Sequence, residues 1–238
     1  VLAPASVQEA IDSIAMAFDL AEKYLSVVHV IVDGNMGQMM EPAELPPMRE
    51  IPEESPPWAV TGAKDRDPKI LTSIYIDPVD EEVTNLRLLK RWKEIEKNEV
   101  RYEEYNLKDA EIAVVAFGTA ARVASSSIRD AREEGINVGL LRPITLAPYP
   151  EKRLDEIANQ VERILVIEMN SGMMLDEVEK IVQGRVPIEF YGRMGGITPL
   201  PDEILEEIRR VANNQSQVIE DPRVEWMVRL EEKIMGEK

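Results

Sequence analysis

The sequence predicts an α/β protein built around a mostly parallel β-sheet. Four short segments in the second half of the chain are almost wholly apolar, and amphipathic segments separate them. Strands that are apolar on both faces are typical of parallel sheets covered by helices on each side, and their alternation with helices indicates βα units. The 238 residues, 44% of them hydrophobic, are sufficient for a substantial core.

The elements of this sheet can be assigned in order along the second half of the chain. The predicted strands are EIAVVAF (111–117), INVGLL (136–141), RILVIE (163–168) and VPIEF (186–190). The predicted helices cover 119–134, 150–161, 173–182 and 201–212. Ligands of such sheets gather at the carboxyl ends of the strands. Those ends are Gly118-Thr119, Arg142-Pro143, 168–172 and 191–196.

The first 33 residues predict a helix followed by a strand. Ser6 and Glu9 have the spacing of a capping box, so a helix is expected to begin there and to continue to about Tyr24. Apolar residues recur at helical period and predict a buried stripe of Val7, Ala10, Ile11, Ile14, Ala15, Phe18 and Ala21. VVHVIVD (27–33) is a β-branched run that suits a strand covered on both faces.

The middle of the chain and its tail predict elements outside the sheet. Seven prolines between residues 42 and 68 each remove an amide donor and fix φ, so a linker or surface loop is expected. Residues 77–105 predict one long charged helix that starts at Asp77-Pro78 and leans on a domain. The tail from Asn213 predicts a last amphipathic helix, which would be only marginally stable without a partner or a neighbouring domain.

Composition excludes several classes of function. With 28 Lys plus Arg against 45 Asp plus Glu, the formal charge of −17 repels nucleic acid and anionic membranes. The absence of cysteine excludes disulfides, thiolate-bound zinc, iron–sulfur clusters and a thiol nucleophile in this chain. No apolar stretch approaches the length of a membrane span and no signal peptide is evident. We therefore expect a cytoplasmic location.

IVDGNMGQMMEP (31–42) follows the predicted strand like the rim of a cofactor pocket. Thiamin diphosphate enzymes hold magnesium through a Gly-Asp-Gly and an Asn roughly thirty residues later, both of which supply oxygen ligands. Here Val32 replaces the first Gly, and the next Asn after Asn35 is Asn85. The magnesium motif is therefore absent, and the loop does not match a calcium site either. A strand-end turn in which Gly34 takes a positive φ is the favoured interpretation.

Two features of this region have both a structural and a functional interpretation. His29 is the only histidine and lies inside a predicted strand, so a core or edge position is favoured over the base of a Ser-His-Asp triad. Met36, Met39 and Met40 either line an adaptable apolar pocket or pack beneath the loop.

The strand ends of the predicted sheet contain candidates for anion binding. The Gly118-Thr119 turn precedes a helix and could bind an anion at the helix N-terminus, although such turns more often only join a strand to a helix. Arg142 and Arg193 place guanidinium groups at strand ends, which suits carboxylate or phosphate recognition. Alternatively, Arg193 pairs with one of the many acids. The GxGxxG, Walker A and HExxH motifs are all missing.

Eight segments in order resemble the alpha subunit of 2-oxoacid:ferredoxin oxidoreductases, and best the type that acts on 3-methyl-2-oxobutanoate (2-oxoisovalerate). They are VLAPASVQEA, FDLAEKY, DGNMGQMMEP, PWAVTGAK, NEVRYEEY, VGLLRPITLAPYP, VIEMNSGMM and GRVPIEFYGRMGGITPLPDEILEEI. The resemblance extends to about Val211. Members of the family carry a further N-terminal segment, which completes a thiamin-pyrimidine-binding domain and holds the acid expected to activate the aminopyrimidine ring.

The resemblance implies a division of labour between subunits. The family decarboxylates a 2-oxoacid on thiamin diphosphate, passes electrons through 4Fe-4S clusters to ferredoxin and releases an acyl-CoA. The resemblance places the magnesium-diphosphate motif on the beta subunit and the clusters on other partners, such as the gamma and delta-type subunits. The chain is therefore expected to hold no cofactor alone, and to supply no catalytic residue and no metal ligand.

The resemblance also implies domain boundaries and site residues. Residues 1–45 are the end of the pyrimidine-binding domain, and 107–212 a transketolase C-terminal-like domain. Between and after them lie a proline-rich linker (46–76), a charged connecting helix (77–106) and a helical tail (213–238). Residues assigned to the cofactor pocket are Asp33, Gly34, Gln38, Met39 and Glu41. Residues assigned to substrate or anion binding are Gly118, Thr119, Arg142 and Arg193.

Three alternatives remain open at this point. One is a member of the same family that is specific for 2-oxoglutarate, which would differ in whether an Arg or an apolar wall meets the distal end of the substrate. Another is a non-catalytic module that holds a thiamin diphosphate enzyme together. The third is a different thiamin enzyme, such as a transketolase-like protein or a dehydrogenase E1 component.

Overall fold

A computed structural model of the protein describes residues 1–50, 53–213 and 221–236. The helices are α1 (Val7–Tyr24), α2 (Pro78–Asn98), α3 (Gly118–Glu133), α4 (Glu151–Ala158), α5 (Met173–Val182), α6 (Pro201–Asn213) and α7 (Pro222–Gly236). The strands are β1 (Tyr102–Tyr105), β2 (Ile112–Ala116), β3 (Val138–Pro143), β4 (Arg163–Glu168) and β5 (Ile188–Gly192). They form one sheet in the order β1-β3-β2-β4-β5. Only β1 is antiparallel to its neighbour, which confirms the predicted α/β class.

The core of the protein is the centre of this sheet. Every residue of β2, β3 and β4 is buried. Val114 of β2 lies opposite Leu140 of β3 and Leu165 of β4, so apolar side chains form continuous rows across the strands. Burial of one such side chain contributes roughly 1.5–3 kcal/mol. The sheet is therefore the main source of stability in the molecule.

The connections between strands run in opposite directions from β2. The chain leaves β2 through α3 to reach β3 on one side, then crosses through α4 to β4 on the other side of β2. Since such crossovers are right-handed, α3 and α4 lie on opposite faces of the sheet. In agreement, α3 packs with α6, and α4 packs with α5. The connections that leave the carboxyl ends of β2 and β4, through α3 and α5, therefore turn to opposite faces of the sheet and leave a crevice between them, where parallel sheets bind ligands.

The predicted elements of the sheet are confirmed with small shifts. The predictions for 163–168 and 173–182 coincide with β4 and α5. Strands β3 and β5 begin two residues later than predicted. The backbone at Asn106 passes so close to Gly139 of β3 that a Cβ atom on Gly139 would lie 2.5 Å from the carbonyl oxygen of Asn106. Only glycine fits at this position without a shift of the backbone.

The prediction of one helix over 77–105 is wrong at its C-terminal end. Helix α2 ends at Asn98, and Tyr102–Tyr105 forms the edge strand β1. The reason is Glu99, whose buried side chain accepts hydrogen bonds from Lys23 (2.7 Å), Tyr24 (2.6 Å) and Arg101 (2.8 Å). These bonds turn the chain away from the helix axis, towards pairing with β3.

The buried stripe of α1 and the doubly covered strand at 27–33 are also corrected. Phe18 is 67% exposed and Val27 is 79% exposed. The segment is extended but pairs only at a single bridge, between Val30 and Leu2. Among the described residues, no other strand pairs with the backbone of residues 27–33 to form a sheet. His29 is exposed, so the prediction that it lies in the core is wrong, and its position is that of an edge residue.

Three further segments lie outside the sheet. Residues 46–50 and 53–76 contain neither helix nor strand, and α2 has no buried residue. The tail helix α7 packs on β5 through Trp226, whose indole N–H donates to the carbonyl oxygen of Gly192 at 2.9 Å. In the part of the chain that the structure describes, no helix has the length and apolar content to cross a bilayer.

The Glu99 cluster leads to a prediction about stability and pH. Burial alone would raise the pKa of Glu99, but the hydrogen bonds from Lys23, Tyr24 and Arg101 outweigh it and lower the pKa from 4.5 to about 2. Because the pKa is lower in the folded state, the stabilisation is present above pH 4.5 and is lost as the pH falls towards 2.

We expect Glu99→Gln to lower the free energy of unfolding at pH 7 by about 2 kcal/mol and to flatten its dependence on pH in this acidic range. Urea unfolding at a series of pH values measures both effects. Glu94→Gln, at an exposed position of the same helix, is the control. Equal stability of the two variants at pH 7 would contradict the role given to Glu99.

Candidate functional site

A pocket of about 200 Å³ lies at the carboxyl ends of β2 and β4. Its lining comes from residues 31–33, 117–120 and 168–170, together with Pro4. It therefore occupies the crevice where the connections of the sheet diverge, the position at which parallel sheets bind ligands. Larger grooves among the described residues lie against α2, near the start of α4 and beside residues 107–111, away from these strand ends.

The 31–42 loop forms one rim of this pocket, and Asp33 determines its shape. The Asp33 carboxylate accepts hydrogen bonds from the amides of Asn35 (3.0 Å) and Met36 (2.9 Å). This bonding starts a single 3-10 turn over Met36–Gln38. Gly34 does not have a positive φ, so the predicted reason for the glycine is wrong. The side chain of Asp33 makes the turn instead.

Glu41 fastens the far end of the loop to two helices. One carboxylate oxygen accepts the amide of Val7 at 3.3 Å, at the start of α1, and the other pairs with Arg122 of α3. The bonds from Arg122 and Val7 lower the pKa of Glu41. Arg122 also donates to the sulfur of Met39 at 3.4 Å. The loop is therefore tied to both sides of the pocket.

The methionines of the loop have different roles. Met36 is buried and packs beneath the turn, whereas Met40 is almost fully exposed. Gln38 is exposed, and its side chain makes no hydrogen bond within the described part of the chain. The loop therefore presents Gln38 and Met40 outward.

The N-terminus of α3 forms the opposite side of the pocket. Gly118 has a φ of +56°, a conformation that glycine adopts at little cost. No side chain caps the helix. The Thr119 hydroxyl is buried, and among the described residues it has no hydrogen-bond partner. An uncapped helix N-terminus is favourable for a negative group.

Glu168 is a buried acid of the site that the sequence interpretation did not select. Its carboxylate accepts hydrogen bonds from the amides of Met174 (2.9 Å) and Leu175 (3.0 Å) and from the side chain of Asn170 (2.9 Å). Burial raises the pKa of Glu168, while these bonds oppose the shift. In the sequence, the signal for such a residue is an acid at the end of the apolar run RILVIE.

Asn170 continues this network along the wall of the pocket. Its side-chain oxygen accepts from the amides of Gly172 at 2.8 Å and Met173 at 2.9 Å. Glu168 and Asn170 together bond the amides at the start of α5, which an uncapped helix would leave without partners. The wall formed by 168–170 is therefore fixed by a network of side-chain and backbone hydrogen bonds.

Two arginines assigned to anion binding have structural roles instead. Arg142 is buried and donates two hydrogen bonds to Glu9, at 2.8 and 2.9 Å, and one to Glu103 at 3.1 Å. Arg193 is buried and lies 3.4 Å from the Glu203 carboxylate. Neither lines the pocket. Their charges are already compensated, so we no longer assign them to ligand binding.

The residues of the site suit an organic group better than a metal ion. Within residues 1–50, 53–213 and 221–236, no group of three or more His, Asp or Glu is placed to hold a metal ion. The Asp33 carboxylate is used by its own turn, so the donor set does not suit magnesium diphosphate. The mostly apolar lining, with one buried hydroxyl without a partner, instead suits contact with an organic ring or side chain.

Comparison with known families places this geometry in context. Residues 1–107 match the family described as "Pyruvate flavodoxin/ferredoxin oxidoreductase, thiamine diP-bdg". Residues 110–204 match "Pyruvate:ferredoxin oxidoreductase core domain II". The boundary between the two matches falls just before β2, so the pocket lies where both matched regions meet.

Individual relatives agree with these matches. The ketoisovalerate oxidoreductase subunit VorB of Methanothermobacter thermautotrophicus is 45% identical over 218 residues, which are 91% of this chain and 61% of the relative. The 2-oxoglutarate synthase subunit KorA of Methanothermobacter marburgensis is 31% identical over 233 residues, covering 87% of this chain and 62% of the relative. The chain thus spans about three fifths of the length of these relatives.

A solved structure shows the same fold. The 2-oxoglutarate:ferredoxin oxidoreductase from Magnetococcus marinus, with 2-oxoglutarate, coenzyme A and succinyl-CoA bound, superimposes with a TM-score of 0.70 at 17% identity. The match covers 89% of this chain and 42% of that one. With two family matches that together extend over most of the sequence, the chain belongs to the 2-oxoacid:ferredoxin oxidoreductase family.

Proposed function

We propose that the chain is the alpha-type subunit of a 2-oxoacid:ferredoxin oxidoreductase and that it forms one wall of a composite active site. The reaction would be the oxidative decarboxylation of a 2-oxoacid to an acyl-CoA, with electrons passed to ferredoxin. One observation carries the proposal. The pocket lies at the divergence of the sheet connections, yet the carboxylates that line it, Asp33 and Glu168, are already bonded to backbone amides and are not free to hold magnesium diphosphate.

The remaining groups are assigned to partners. Thiamin diphosphate with magnesium would be shared with a beta subunit, and 4Fe-4S clusters would be held by partner subunits of the gamma and delta type. The lack of cysteine in this chain supports this assignment, because such clusters require thiolate ligands. When bound, thiamin diphosphate would supply the electron sink that decarboxylation requires.

The residues of this chain would shape and orient the pocket. Asp33 and Gly34 form the turn at its rim, and Gln38 points outward to meet the cofactor or the partner. Glu41 holds the loop through Val7 and Arg122, with Met39 beside it. Gly118 and Thr119 offer an uncapped helix N-terminus, which would orient a carboxylate.

The pocket lining favours a branched-chain substrate. The described residues that line it include Ile31, Val32, Phe117 and Met169 but neither Lys nor Arg. An apolar side chain loses water on entering such a pocket at no electrostatic cost. The second carboxylate of 2-oxoglutarate would lose its hydration without a cation to replace it. The apolar wall therefore fits 3-methyl-2-oxobutanoate better than 2-oxoglutarate.

A panel of 2-oxoacids tests this substrate assignment. The complete complex, assayed with ferredoxin or a viologen dye, should show kcat/KM for 3-methyl-2-oxobutanoate that exceeds the value for 2-oxoglutarate at least ~10-fold. Val32→Arg should reduce this ratio, because it adds a cation to the apolar wall. Val27→Arg, on the same segment but outside the pocket, is the matched control. A higher kcat/KM for 2-oxoglutarate in the unmodified complex would refute the assignment.

The contacts of Glu41 with Val7 and Arg122 lead to a second experiment on the complete complex. Glu41→Gln removes the negative charge that pairs with Arg122, so the rim should loosen and KM for the 2-oxoacid should rise about 3- to 10-fold. Gln38→Ala should also change turnover or assembly, because the side chain is proposed to meet the cofactor or the partner.

Glu44→Gln is the control, since that exposed side chain has no salt bridge within the described residues. Steady-state kinetics and gel filtration measure turnover and assembly. If neither Glu41→Gln nor Gln38→Ala alters either property, the loop has no role in the site.

A further inference from the structure

The tail helix α7 reaches across the sheet to the loop that follows β4. The guanidinium group of Arg223, near the start of α7, donates to the carbonyl oxygens of Ser171 at 3.2 Å and Gly172 at 2.6 Å. It also pairs with Asp176 and lies 3.5 Å from Glu179, both on α5. One side chain thus binds both the loop and the first turns of the helix after it.

The backbone of the loop is shaped to accept this contact. Gly172 has a φ of +104°, which turns the peptide in a way that other residues rarely adopt. A Cβ atom at this position would lie 2.9 Å from Nε of Arg223. Glycine is therefore required here for the backbone conformation and also for the close approach of the guanidinium group.

The loop held by Arg223 is continuous with the pocket wall. Met169 and Asn170 line the pocket, and the Asn170 side chain bonds the amides of Gly172 and Met173. A shift of Gly172 would therefore move the Asn170 side chain through these two bonds. Arg223 itself does not line the pocket.

Helix α7 is also anchored on β5. Trp226 is buried, donates to the carbonyl oxygen of Gly192 and packs edge-on against Phe190, with ring centroids 4.9 Å apart. Arg229 donates to the carbonyl oxygen of Phe190 at 3.0 Å. These contacts hold α7 on β5, so the helix offers a fixed support from which Arg223 extends.

We propose that Arg223 is a positioning residue, through which α7 fixes the pocket wall formed by Met169 and Asn170. The proposal rests on the function proposed above, since it assigns the substrate to that pocket. The guanidinium geometry is essential to it. Two carbonyl oxygens and a carboxylate are bound at once, which the single ammonium group of lysine cannot reproduce.

The test compares three variants in the complete complex. Arg223→Ala should raise KM for 3-methyl-2-oxobutanoate about 5- to 10-fold with kcat changed less than ~2-fold, because the wall becomes less ordered while the reacting groups stay in place. Arg223→Lys should give an intermediate KM. Glu231→Ala removes an exposed charged side chain from the same helix that has no hydrogen bond or salt bridge within the described residues, and its KM should stay within ~2-fold of the original.

Hydrogen exchange of the same complexes supplies a readout that does not depend on activity. Arg223→Ala should accelerate exchange of the amides from Gly172 to Leu175, and Glu231→Ala should leave them protected. Equal effects of the two variants on KM or on exchange would overturn the proposal. If the unmodified complex oxidises no 2-oxoacid, the proposed function fails, and exchange still decides whether Arg223 holds the loop.

Discussion

The opposite directions of the connections leaving β2 and β4 determine where this protein can bind a ligand. Because these strands are neighbours and continue into α3 and α5 on opposite faces of the sheet, the two connections separate and leave a crevice at the strand ends. Glu168 closes one wall by bonding the amides at the start of α5. The uncapped start of α3 forms the other wall. The ligand site thus follows from strand order, with few residues committed to chemistry.

Buried charges explain why the arginines at the strand ends are structural. Arg142 and Arg193 each pair with an acid, Glu9 and Glu203 respectively. An unpaired charge in such positions would be costly, so each buried arginine needs a permanent acidic partner. In a chain with an excess of 17 negative charges, acidic partners are abundant. The pocket itself has no Lys or Arg among the described residues that line it, and most of its lining is apolar.

Local patterns predicted most of the fold because they are decided within a few residues. Strand β4 and helix α5 lie as the period of apolar residues indicates. The α2 boundary was missed because it depends on Glu99 meeting Lys23, Tyr24 and Arg101, contacts that involve residues distant in sequence. The 27–33 segment was misjudged for a related reason. A β-branched run forms a strand only where neighbouring backbone is available, and here Leu2 is its one bridge partner among the described residues.

The site was only partly predictable from the sequence. The positions of the 31–42 loop and the Gly118-Thr119 turn follow from strand ends, which the sequence shows. The roles of Glu168 and Arg223 do not, because each acts through the backbone of a loop whose conformation is set by the whole fold. Arg142 shows the converse: its strand-end position suggested a ligand, while its acidic partner Glu9 lies 133 residues away in sequence.

The central claim is that this chain supplies a pocket wall and needs partners to hold the cofactor. Calorimetric titration of magnesium thiamin diphosphate into the isolated chain and into the reassembled complex tests it most directly. We predict saturable binding by the complex and none by the chain alone. Tight binding by the isolated chain, or oxidation of a 2-oxoacid by it without partners, would contradict the claim.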